Sequence, residues 1–494
     1  MKQNGTLMQY FHWYYGNNDD TPHLWDQVKQ EVVDLSENGI TALWLPPSYK
    51  GSGGASDVGY SIYDLYDLGE FDQKGSISTK YGTKNQYLAA IKEAHANNIQ
   101  VYSDVVFNHK AGADETEWVK AIRVHEHDRK FHCGHETWVE AWTKFTFPKR
   151  ANKYSDFKWR YYHFDGVDWA HNLQEKSIFK FLGLGKDWDQ MVGQGGGNYD
   201  YLMHSDLDMD HPEVRTELAN WAKWFIKTTD TDGFRIDAVK HIKFSFFRVW
   251  LGFLRREFPA KELFTVGEYW SDQVDHLLYY LEKTDNMMSL FDAPLQRNFY
   301  DASHAGNGNY DMRRIFDNTL VGRNPNKAVT LVDNHDTQPC QSLVRWVDYW
   351  FKPLAYALIL LRKDGYPCVF YPDYYGARYR DKGENIDLAP VPGLKQMMRA
   401  RKDYAYGPQH DYFDHHDIVG WTREGVASIP GSGMAVLLSD GPGGSKWMEV
   451  GQLHAGKVFH DVLENHTDTV TINEDGKAEF HVEGGSVSVW VEQF

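Results

Sequence analysis

The chain has 494 residues and a formal net charge of −17, from 52 basic and 69 acidic side chains. This acidic balance disfavours nucleic acid and anionic membranes as partners, because both are bound by basic surfaces. Three widely spaced cysteines exclude a disulfide scaffold, and no apolar run is long enough to cross a bilayer. Aromatic residues make up 15% of the chain, and exposed rings offer flat surfaces to sugars or bases.

Apolar, strand-like runs alternate along the chain with amphipathic, helix-like runs. Eight strands that are each followed by a helix indicate an α/β fold, a closed (β/α)8 TIM barrel. The predicted strands are Thr6–Phe11, Ile40–Leu45, Ile99–Phe107, Gly233–Asp237, Leu263–Glu268, Met288–Asp292, Ala328–Asp333 and Pro367–Tyr371. The predicted helices are Trp25–Asn38, Lys84–Asn97, Glu213–Thr229, Ser245–Phe258, Gln273–Lys283, Asp311–Leu320, Lys352–Lys363 and Leu394–Tyr404.

Two regions do not fit the barrel pattern. The stretch 108–211 is too long for a loop between strand and helix, so we predict a folded domain inserted after strand three. Beyond Tyr406, short alternating runs such as Thr469–Asn473 and Ser486–Val491 predict a C-terminal antiparallel β-sandwich domain. The predicted domains are the barrel at 1–107 and 212–405, the inserted domain at 108–211 and the C-terminal domain at 406–494.

Ionisable residues cluster at the carboxyl ends of four predicted strands, which converge on one pocket in a barrel. A single cluster of this kind is as readily explained by a helix cap or a buried ion pair. Four clusters on one barrel face indicate a catalytic pocket instead. The residues are Asp104, Asn108 and His109 on strand three, Arg235, Asp237, Lys240 and His241 on strand four, Glu268 on strand five, and Asn334, His335 and Asp336 on strand seven.

Two carboxyl groups, one protonated and one ionised, can break a glycosidic bond. Arg235 lies two residues from Asp237 on the same strand face and would keep that aspartate ionised. Glu268, in a drier part of the pocket, would have a raised pKa and act as the acid. Spacing alone also permits metal-dependent phosphoester hydrolysis, because Asp and His clusters can ligate two metal ions.

A second acidic constellation, at Asp206, Asp208 and Asp210, has carboxylates at alternate positions, which suits a hard cation such as Ca²⁺. An EF-hand loop is rejected because His211 stands where that loop needs glycine. The alternative is a solvated acidic turn. The histidine-rich tract 125–135 matches no closed zinc pattern, and we expect a solvated loop there.

Four strings, in order, resemble the alpha-amylase family of glycoside hydrolases, in its liquefying bacterial type. They are Asp104-Val-Val-Phe-Asn-His109, Gly233-Phe-Arg-Ile-Asp-Ala-Val-Lys-His241, Gly267-Glu-Tyr-Trp270 and Val332-Asp-Asn-His-Asp-Thr337. The resemblance runs from Gly5 to the final strand and implies endo-acting hydrolysis of α-1,4-glucosidic bonds in starch, glycogen and related α-glucans, with retention of configuration. A transglycosylase of the same family and a noncatalytic glucan-binding relative are the alternatives.

Carried over position by position, the resemblance implies that Asp237 is the nucleophile, Glu268 the general acid/base and Asp336 the third carboxylate. The substrate-binding residues that it implies are Arg235, His109, His335, Tyr60, Lys240, His241, Trp270 and Trp13. One departure is Gly267, where relatives often have alanine. We expect this glycine to loosen the backbone beside Glu268.

The resemblance also implies Ca²⁺, with Na⁺ as a candidate for a neighbouring site, and no organic cofactor. The implied first calcium site uses Asn108, Asp200, Asp206 and the carbonyl of His241; the neighbouring cluster uses Asp165, Asp189, Asp208 and Asp210; a third site uses Gly308, Tyr310, His416, Asp417 and Asp440. The glycine-rich stretch Phe181–Lys186 lies beside these ligands, and we expect it to be a weak point on heating.

The expected partner is an α-glucan polysaccharide, with no nucleic acid and no membrane, and the chain is expected to be a monomer. No signal peptide is visible at the start of the sequence, which favours the cytoplasm. An external polymeric substrate and calcium sites that fill more easily outside the cell favour secretion. Secretion is the preferred of the two locations.

Overall fold

The computed structural model describes residues 4–16, 23–306 and 308–493. Eight parallel strands form a closed barrel in chain order, and the last strand pairs with the first through Leu7 and Cys368. The predicted barrel is therefore confirmed. The strands are β1 (Leu7–Gln9), β2 (Ala42–Leu45), β3 (Gln100–Val105), β4 (Gly233–Ile236), β5 (Phe264–Gly267), β6 (Ser289–Phe291), β7 (Ala328–Leu331) and β8 (Tyr366–Phe370).

Helices cover the outside of the barrel and follow its strands. Every residue of β7 and β8 is buried, as expected of parallel strands that have helices outside and side chains inside. None of the helices in the described ranges is long and apolar enough to cross a membrane. The helices are α1 (Leu24–Glu37), α2 (Lys84–Ala96), α3 (Pro212–Thr229), α4 (Phe244–Glu257), α5 (Val274–Lys283), α6 (Ala293–Ala305), α7 (Leu320–Arg323), α8 (Lys352–Leu360), α9 (Tyr371–Tyr375) and α10 (Leu394–Asp403).

The predicted helix Asp311–Leu320 is wrong. The helix after β6 is α6, which begins at Ala293 and has Pro294 in its first turn. Its N-cap is Asp292, whose carboxylate accepts a hydrogen bond from the backbone N–H of Leu295. The same buried carboxylate accepts hydrogen bonds from the backbone of Leu320 and Val321, and it thereby fixes the start of α7. The predicted range contains a short 3₁₀ turn, Met312–Arg314, and at its last residue the start of α7.

The inserted region between β3 and α3 folds into an antiparallel sheet. Its first strand pairs with its last, so that His109 lies opposite Asp206. This pairing brings the carboxyl end of β3 next to the acidic sequence that precedes α3. The strands are His109–Lys110, Glu115–His125, Asp128–His132, Thr137–Lys144, Phe164–Ala170, Glu175–Phe181 and Ser205–Leu207.

The C-terminal region is an antiparallel β-sandwich, as predicted. One sheet has six strands and packs against a two-stranded sheet across a core that includes Leu437, Phe480 and Trp490. The six strands, in sheet order, are Gln409–Tyr412, Ile418–Arg423, Met434–Ser439, Ser486–Glu492, Val458–Asp461 and Val470–Thr471, and the second sheet pairs Gly444–Glu449 with Lys477–Val482. Two strand pairs lie outside these sheets: Lys50–Gly51 with Ile62–Asp64, and Ala377–Asp381 with Glu384–Leu388. The limits of the three domains stay predictions.

Candidate active site

The strand-end side chains meet around the guanidinium group of Arg235. Its Nη1 lies 2.7 Å from Oδ1 of Asp237 and 3.1 Å from Oδ1 of Asp104, and its Nη2 lies 2.9 Å from Oε2 of Glu268. In the barrel, Arg235 pairs laterally with Asp104 on β3 and with Val266 on β5. One fully buried guanidinium therefore joins carboxylates from three adjacent strands.

The backbone after Asp237 also points at Glu268. Ala238 adopts a left-handed conformation with φ of 48°, which is uncommon for a residue other than glycine. Its N–H donates to Oε2 of Glu268 over 3.1 Å. Strained backbone of this kind is typical of functional sites, where the surrounding structure holds it in place.

Burial and the proximity of other charged groups determine the pKa values of the carboxyl groups in this pocket. Burial raises the pKa of Asp237 to about 6, although the charge of Arg235 opposes the rise. Burial also raises the pKa of Glu268, again against Arg235. Burial and the charge of Glu268 raise the pKa of Asp336 to about 7. Near neutral pH, protonated and ionised carboxyl groups can therefore coexist in this pocket.

One wall of the pocket consists of three nearly parallel rings. The rings of Tyr60 and His335 lie 5.2 Å apart at 11°, and those of Trp13 and Tyr60 lie 5.7 Å apart at 5°. The Tyr60 hydroxyl donates to Asp104 over 2.8 Å, and Gln9 holds Nδ1 of His335 at 3.0 Å. These bonds fix a flat aromatic wall that suits the apolar face of a sugar ring.

Two buried histidines line the same pocket without adding charge. Nε2 of His109 lies 2.9 Å from the carbonyl oxygen of Tyr60, and Nε2 of His335 lies 3.4 Å from Asp336. Burial lowers the pKa of His109 to about 3 and that of His335 well below its usual range. Both imidazoles are neutral at physiological pH and are free to exchange hydrogen bonds with hydroxyl groups.

The 3₁₀ turn Val239–His241 carries two of the remaining residues predicted to bind substrate, Lys240 and His241, and it contacts the third, Trp270. Lys240 Nζ donates to the carbonyl of Trp270 over 3.1 Å, and its charge acts on Glu268. Nδ1 of His241 lies 2.5 Å from the carbonyl oxygen of Tyr199. The end of β4 is thus attached directly to the inserted region.

Five aspartates of the inserted region converge in its interior, in two groups that share Asp165. In each group, ligand oxygens lie within 4.8 Å of one another. Both carboxylate oxygens of Asp165 and Oδ2 of Asp206 are buried and accept no hydrogen bond from the residues that the structure describes. Such convergence leaves acceptors without donors, a deficit that a hard cation would satisfy. The groups are Asp165, Asp189 and Asp208, and Asp165, Asp200 and Asp206.

The charges in this acidic cluster repel one another. Burial, followed by neighbouring carboxylates, raises the pKa of Asp165, Asp200 and Asp206 well above the usual range. Lys186 supplies one counter-charge, with Nζ 2.6 Å from Oδ2 of Asp208. Asn108, at the end of β3, donates to Asp206 over 3.2 Å and so links the cluster to the barrel.

Among the residues assigned to the two neighbouring sites, Asp210 differs from the buried aspartates. Its side chain is 56% exposed and pairs with Lys243 at 2.5 Å. The imidazole of His241, by contrast, contacts the carbonyl oxygen of Tyr199, the residue before Asp200. Asp210 therefore lies at the rim of the cluster, whereas the other predicted carboxylates form its centre.

The third predicted site lies between the barrel and the C-terminal region. The N–H of Gly308 donates to the carbonyl of Asp440 over 2.9 Å. Within the described part of the chain, neither carboxylate oxygen of Asp440 accepts a hydrogen bond. Burial and the nearby Asp417 raise the pKa of Asp440 to about 7. His416 is exposed, with Nε2 3.0 Å from Asp417, and Tyr310 is half-buried.

The sequence placed Asp104 in the predicted catalytic pocket without giving it a particular role, and other residues that organise the site were not predicted. The carboxylate of Asp104 accepts hydrogen bonds from the guanidinium of Arg235, the hydroxyl of Tyr60 and the indole N–H of Trp44, the last over 2.9 Å. The position of Asp104 among the polar residues of strand three was the available signal, whereas nothing in the apolar strand β2 marks Trp44. Gln9 and Lys186 were also missed. The histidines of the tract 125–135 are exposed, and none of them belongs to a potential metal group in the described ranges.

Comparison with known proteins agrees with this geometry. Residues 14–388 match the alpha-amylase catalytic domain family, and residues 435–491 match the alpha-amylase C-terminal family. The chain is 60% identical to an alpha-amylase of Geobacillus stearothermophilus, over 99% of this chain and 87% of the relative. Asp and Glu carboxyl groups brought together at the carboxyl ends of (β/α)8 barrel strands meet the requirement of glycoside hydrolysis for a carboxyl pair. The chain belongs to the alpha-amylase family.

Other relatives also match this chain over almost its whole length. An alpha-amylase of Bacillus licheniformis is 53% identical over 99% of this chain and 94% of its own length. A cytoplasmic alpha-amylase of Escherichia coli strain K12 is 45% identical over 99% of both. The crystal structure of an alpha-amylase from Geobacillus thermoleovorans, complexed with acarbose, superposes with a TM-score of 0.65 at 20% identity, over 100% of this chain and 99% of that one. That structure supports the fold alone.

Proposed function

We propose that the protein is an endo-acting hydrolase of α-1,4-glucans that retains the anomeric configuration. The observation that carries the proposal is the attachment of Asp237 and Glu268 to the two ends of one buried guanidinium, that of Arg235. Retaining glycosidases need two carboxyl groups about 5 Å apart, close enough for one to act as nucleophile. Full-length similarity to alpha-amylases supports an α-glucan as the substrate.

In the proposed reaction, Glu268 donates its proton to the glycosidic oxygen while Asp237 attacks the anomeric carbon. The leaving chain departs with that proton, and the sugar remains bonded to Asp237 as a glycosyl ester. Glu268, now ionised, takes a proton from water, which displaces Asp237 and completes hydrolysis with net retention. Asp336 binds hydroxyl groups of the distorted sugar, a role supported by its place beside His335.

The pocket walls orient the substrate. The flat wall of Trp13, Tyr60 and His335 stacks against the sugar at the cleavage point. His109 and His335, both neutral, hydrogen-bond its hydroxyl groups. Lys240, His241 and Trp270 contact the leaving side, which their position after Asp237 and Glu268 supports.

We propose Ca²⁺ as the resident cation of the acidic cluster, held by Asn108, Asp200, Asp206 and the carbonyl of His241. The buried oxygens of Asp165 and Asp206 that accept no hydrogen bond from the described residues support a hard cation there. When bound, the ion supplies positive charge that offsets carboxylate repulsion and holds the inserted sheet to the end of β4. The neighbouring position, with Na⁺ or a second Ca²⁺, uses Asp165, Asp189, Asp208 and Asp210, and a third site uses Gly308, Tyr310, His416, Asp417 and Asp440.

The test is release of reducing ends from soluble starch by the wild type, Glu268→Gln and Asp237→Asn. We expect activity from the wild type and a loss of several orders of magnitude in each variant, with unfolding midpoints unchanged. Freshly released ends should carry the α configuration by NMR. Transfer of sugar to other chains without new reducing ends would identify a transglycosylase, and an inactive wild type that still binds starch would identify a binding protein.

We further propose that the chain acts as a monomer, which sedimentation at micromolar concentration would test.

For cellular location, the relative from Escherichia coli is named cytoplasmic. The comparisons therefore give the preference for secretion no support. Fractionation of the cells that produce the protein would decide between the two locations.

A further inference from the structure

The outer face of the inserted sheet carries three tryptophans. Trp118 lies on the strand Glu115–His125, and Trp138 and Trp142 lie on Thr137–Lys144, with 55%, 57% and 38% of each residue exposed. The other face of the same strands is apolar and buried. Indole rings held in solvent on a sheet face, outside any core, mark an interaction surface.

Strand register places the three rings in one row. Trp118 lies opposite Glu140, which is midway between Trp138 and Trp142 on the neighbouring strand. Directly opposed residues of an antiparallel pair share a face, and diagonal neighbours are about 7–8 Å apart. The row therefore runs from Trp142 through Trp118 to Trp138.

Side-chain hydrogen bonds hold the backbone of the strand Thr137–Lys144, which carries two rings of this tryptophan row. Asn172 donates from Nδ2 to the carbonyl of Trp138 over 3.1 Å and accepts the N–H of Glu140 over 2.8 Å. The ring of His171 meets Trp142 edge-on at 5.4 Å. A platform that is rigid before binding loses little conformational entropy when a ligand arrives.

One end of the row lies at a cavity beside the predicted substrate-binding residues. Trp142 also lines a cavity of about 390 Å³ together with Trp169 and His204. The ring of His204 lies 5.3 Å from that of His109, and its Nε2 lies 3.2 Å from Oγ of Ser61, the residue after Tyr60. The cavity at the end of the row therefore lies next to His109, one of the predicted substrate-binding residues.

We propose that Trp118 and Trp138 bind a remote segment of a long α-glucan whose other segment occupies the cleft. This proposal rests on the proposed function, since it names a second contact for the same substrate. Sugar rings present apolar faces to indoles and hydroxyl groups to the polar residues between them. Thr116, Lys120 and Glu140 supply those polar groups on the same face.

The charges around the tryptophan row disfavour an anionic polymer or a second copy of the chain as its ligand. Lys120 is already paired with Glu136, and Thr116 donates to Glu140 over 2.9 Å, so that no unpaired basic group in the row would attract an anionic polymer. The net charge of −17 opposes such partners further. Repulsion between two copies with this charge also works against self-association through this face.

The experiment measures adsorption to starch granules in a Glu268→Gln background, at low temperature and with maltotriose saturating the cleft. Trp118→Ala/Trp138→Ala is compared with its parent. The matched control is Phe131→Ala, an equally exposed aromatic, at 61%, on the strand Asp128–His132 of the same sheet but outside the row. Trp118→Phe/Trp138→Phe keeps two flat rings, and it separates a loss of stacking from a loss of folding.

We expect the alanine double variant to weaken adsorption between about twofold and tenfold for each ring removed. The phenylalanine pair should keep most of the binding, and Phe131→Ala should match the parent. Equal adsorption by the alanine variant and its parent would overturn the proposal. An equal loss in Phe131→Ala, or a change in self-association with adsorption intact, would overturn it too.

A failure of the proposed hydrolase function would give a different result from a failure of the proposed tryptophan row. Hydrolysis is measured separately, with Glu268 present, by release of reducing ends from soluble starch. No release by the wild type, combined with a loss of adsorption in the alanine variant, would refute the hydrolase while supporting the tryptophan row. Normal release with unchanged adsorption would refute the row alone.

Discussion

Nη1 of Arg235 lies 2.7 Å from Oδ1 of Asp237, two residues further along the chain. Because strand side chains alternate between faces, both residues point into the barrel, and the cation is built into the same strand as the nucleophile that we propose. The other end of the guanidinium binds Glu268. A fork with two separate nitrogen ends is therefore needed here, and a lysine ammonium group lacks that geometry.

Replacement of Arg235 by lysine should lower kcat by about a hundredfold or more, because one ammonium group cannot hold Asp104, Asp237 and Glu268 in place. Lysine keeps a positive charge but lacks the Nη1 group that donates to Asp237, and the loss of this hydrogen bond should raise the pKa of Asp237. Since the nucleophile must be ionised, the acid limb of the pH profile should move to higher pH. Steady-state kinetics between pH 4 and pH 9 checks both effects; a profile that does not move would contradict the electrostatic role.

The pH profile of the wild type follows from the same pocket. Asp237, with a pKa of about 6, must lose its proton, so activity should fall as the pH drops through about 6. Glu268 must keep its proton, and its raised pKa sets the limb at higher pH. Lys240 lowers the pKa of Glu268, so Lys240→Met should raise it and move this basic limb to higher pH. Profiles of kcat/KM report both limbs, and a shift to lower pH would refute the assignment.

Removal of Ca²⁺ should destabilise the protein, because Asp165, Asp200 and Asp206 would then stay buried together, with Lys186, 3.7 Å from Asp165, as a partial counter-charge. At a free concentration one hundred times its dissociation constant, the ion contributes about 2.7 kcal/mol. Calorimetry with calcium and with a chelator measures the difference in unfolding midpoint. Asp206→Asn should abolish most of that difference, whereas Asp210→Asn, at an exposed position, should change it little. Equal effects of the two variants would argue against the buried site.

Deletion of Gly183 and Leu184 should slow heat inactivation at low calcium. Leu184 is fully exposed, Gly183 and Gly185 both have positive φ, and the loop ends at Lys186, which binds Asp208. A shorter loop gains less entropy when the cluster opens. We expect the half-life of activity to lengthen by about twofold or more at low calcium and by less at saturating calcium. Equal half-lives at low calcium would refute the prediction.

Substitution of Gly267 by alanine should destabilise the fold by about 1 kcal/mol or more. An added Cβ would lie 2.8 Å from Sδ of Met288 and 3.1 Å from both methyl groups of Val239. Close packing against these side chains, rather than backbone looseness, is the effect of this glycine in the structure. Thermal unfolding of Gly267→Ala measures the change, and a raised midpoint would show that the neighbours give way easily.

Local sequence was enough to determine the barrel and its functional end. Continuous apolar runs mark buried parallel strands, and the polar residues that end them, such as Asp237 and Glu268, lie on one rim because all the strands point the same way. The helix after β6 was predictable in principle from Asp292 and Pro294. It was misplaced because the apolar spacing of the segment 311–320 competed with that capping signal.

Tertiary structure alone decided which of these residues touch. Lateral register between β3, β4 and β5 lets one guanidinium hold Asp104, Asp237 and Glu268. Asp165 and Asp200 are 35 positions apart in sequence and meet only because the inserted strands pair as they do. The pairing of Trp118 with Glu140 likewise creates a row from residues on two strands. Register and long-range packing depend on the whole chain, and no local pattern encodes them.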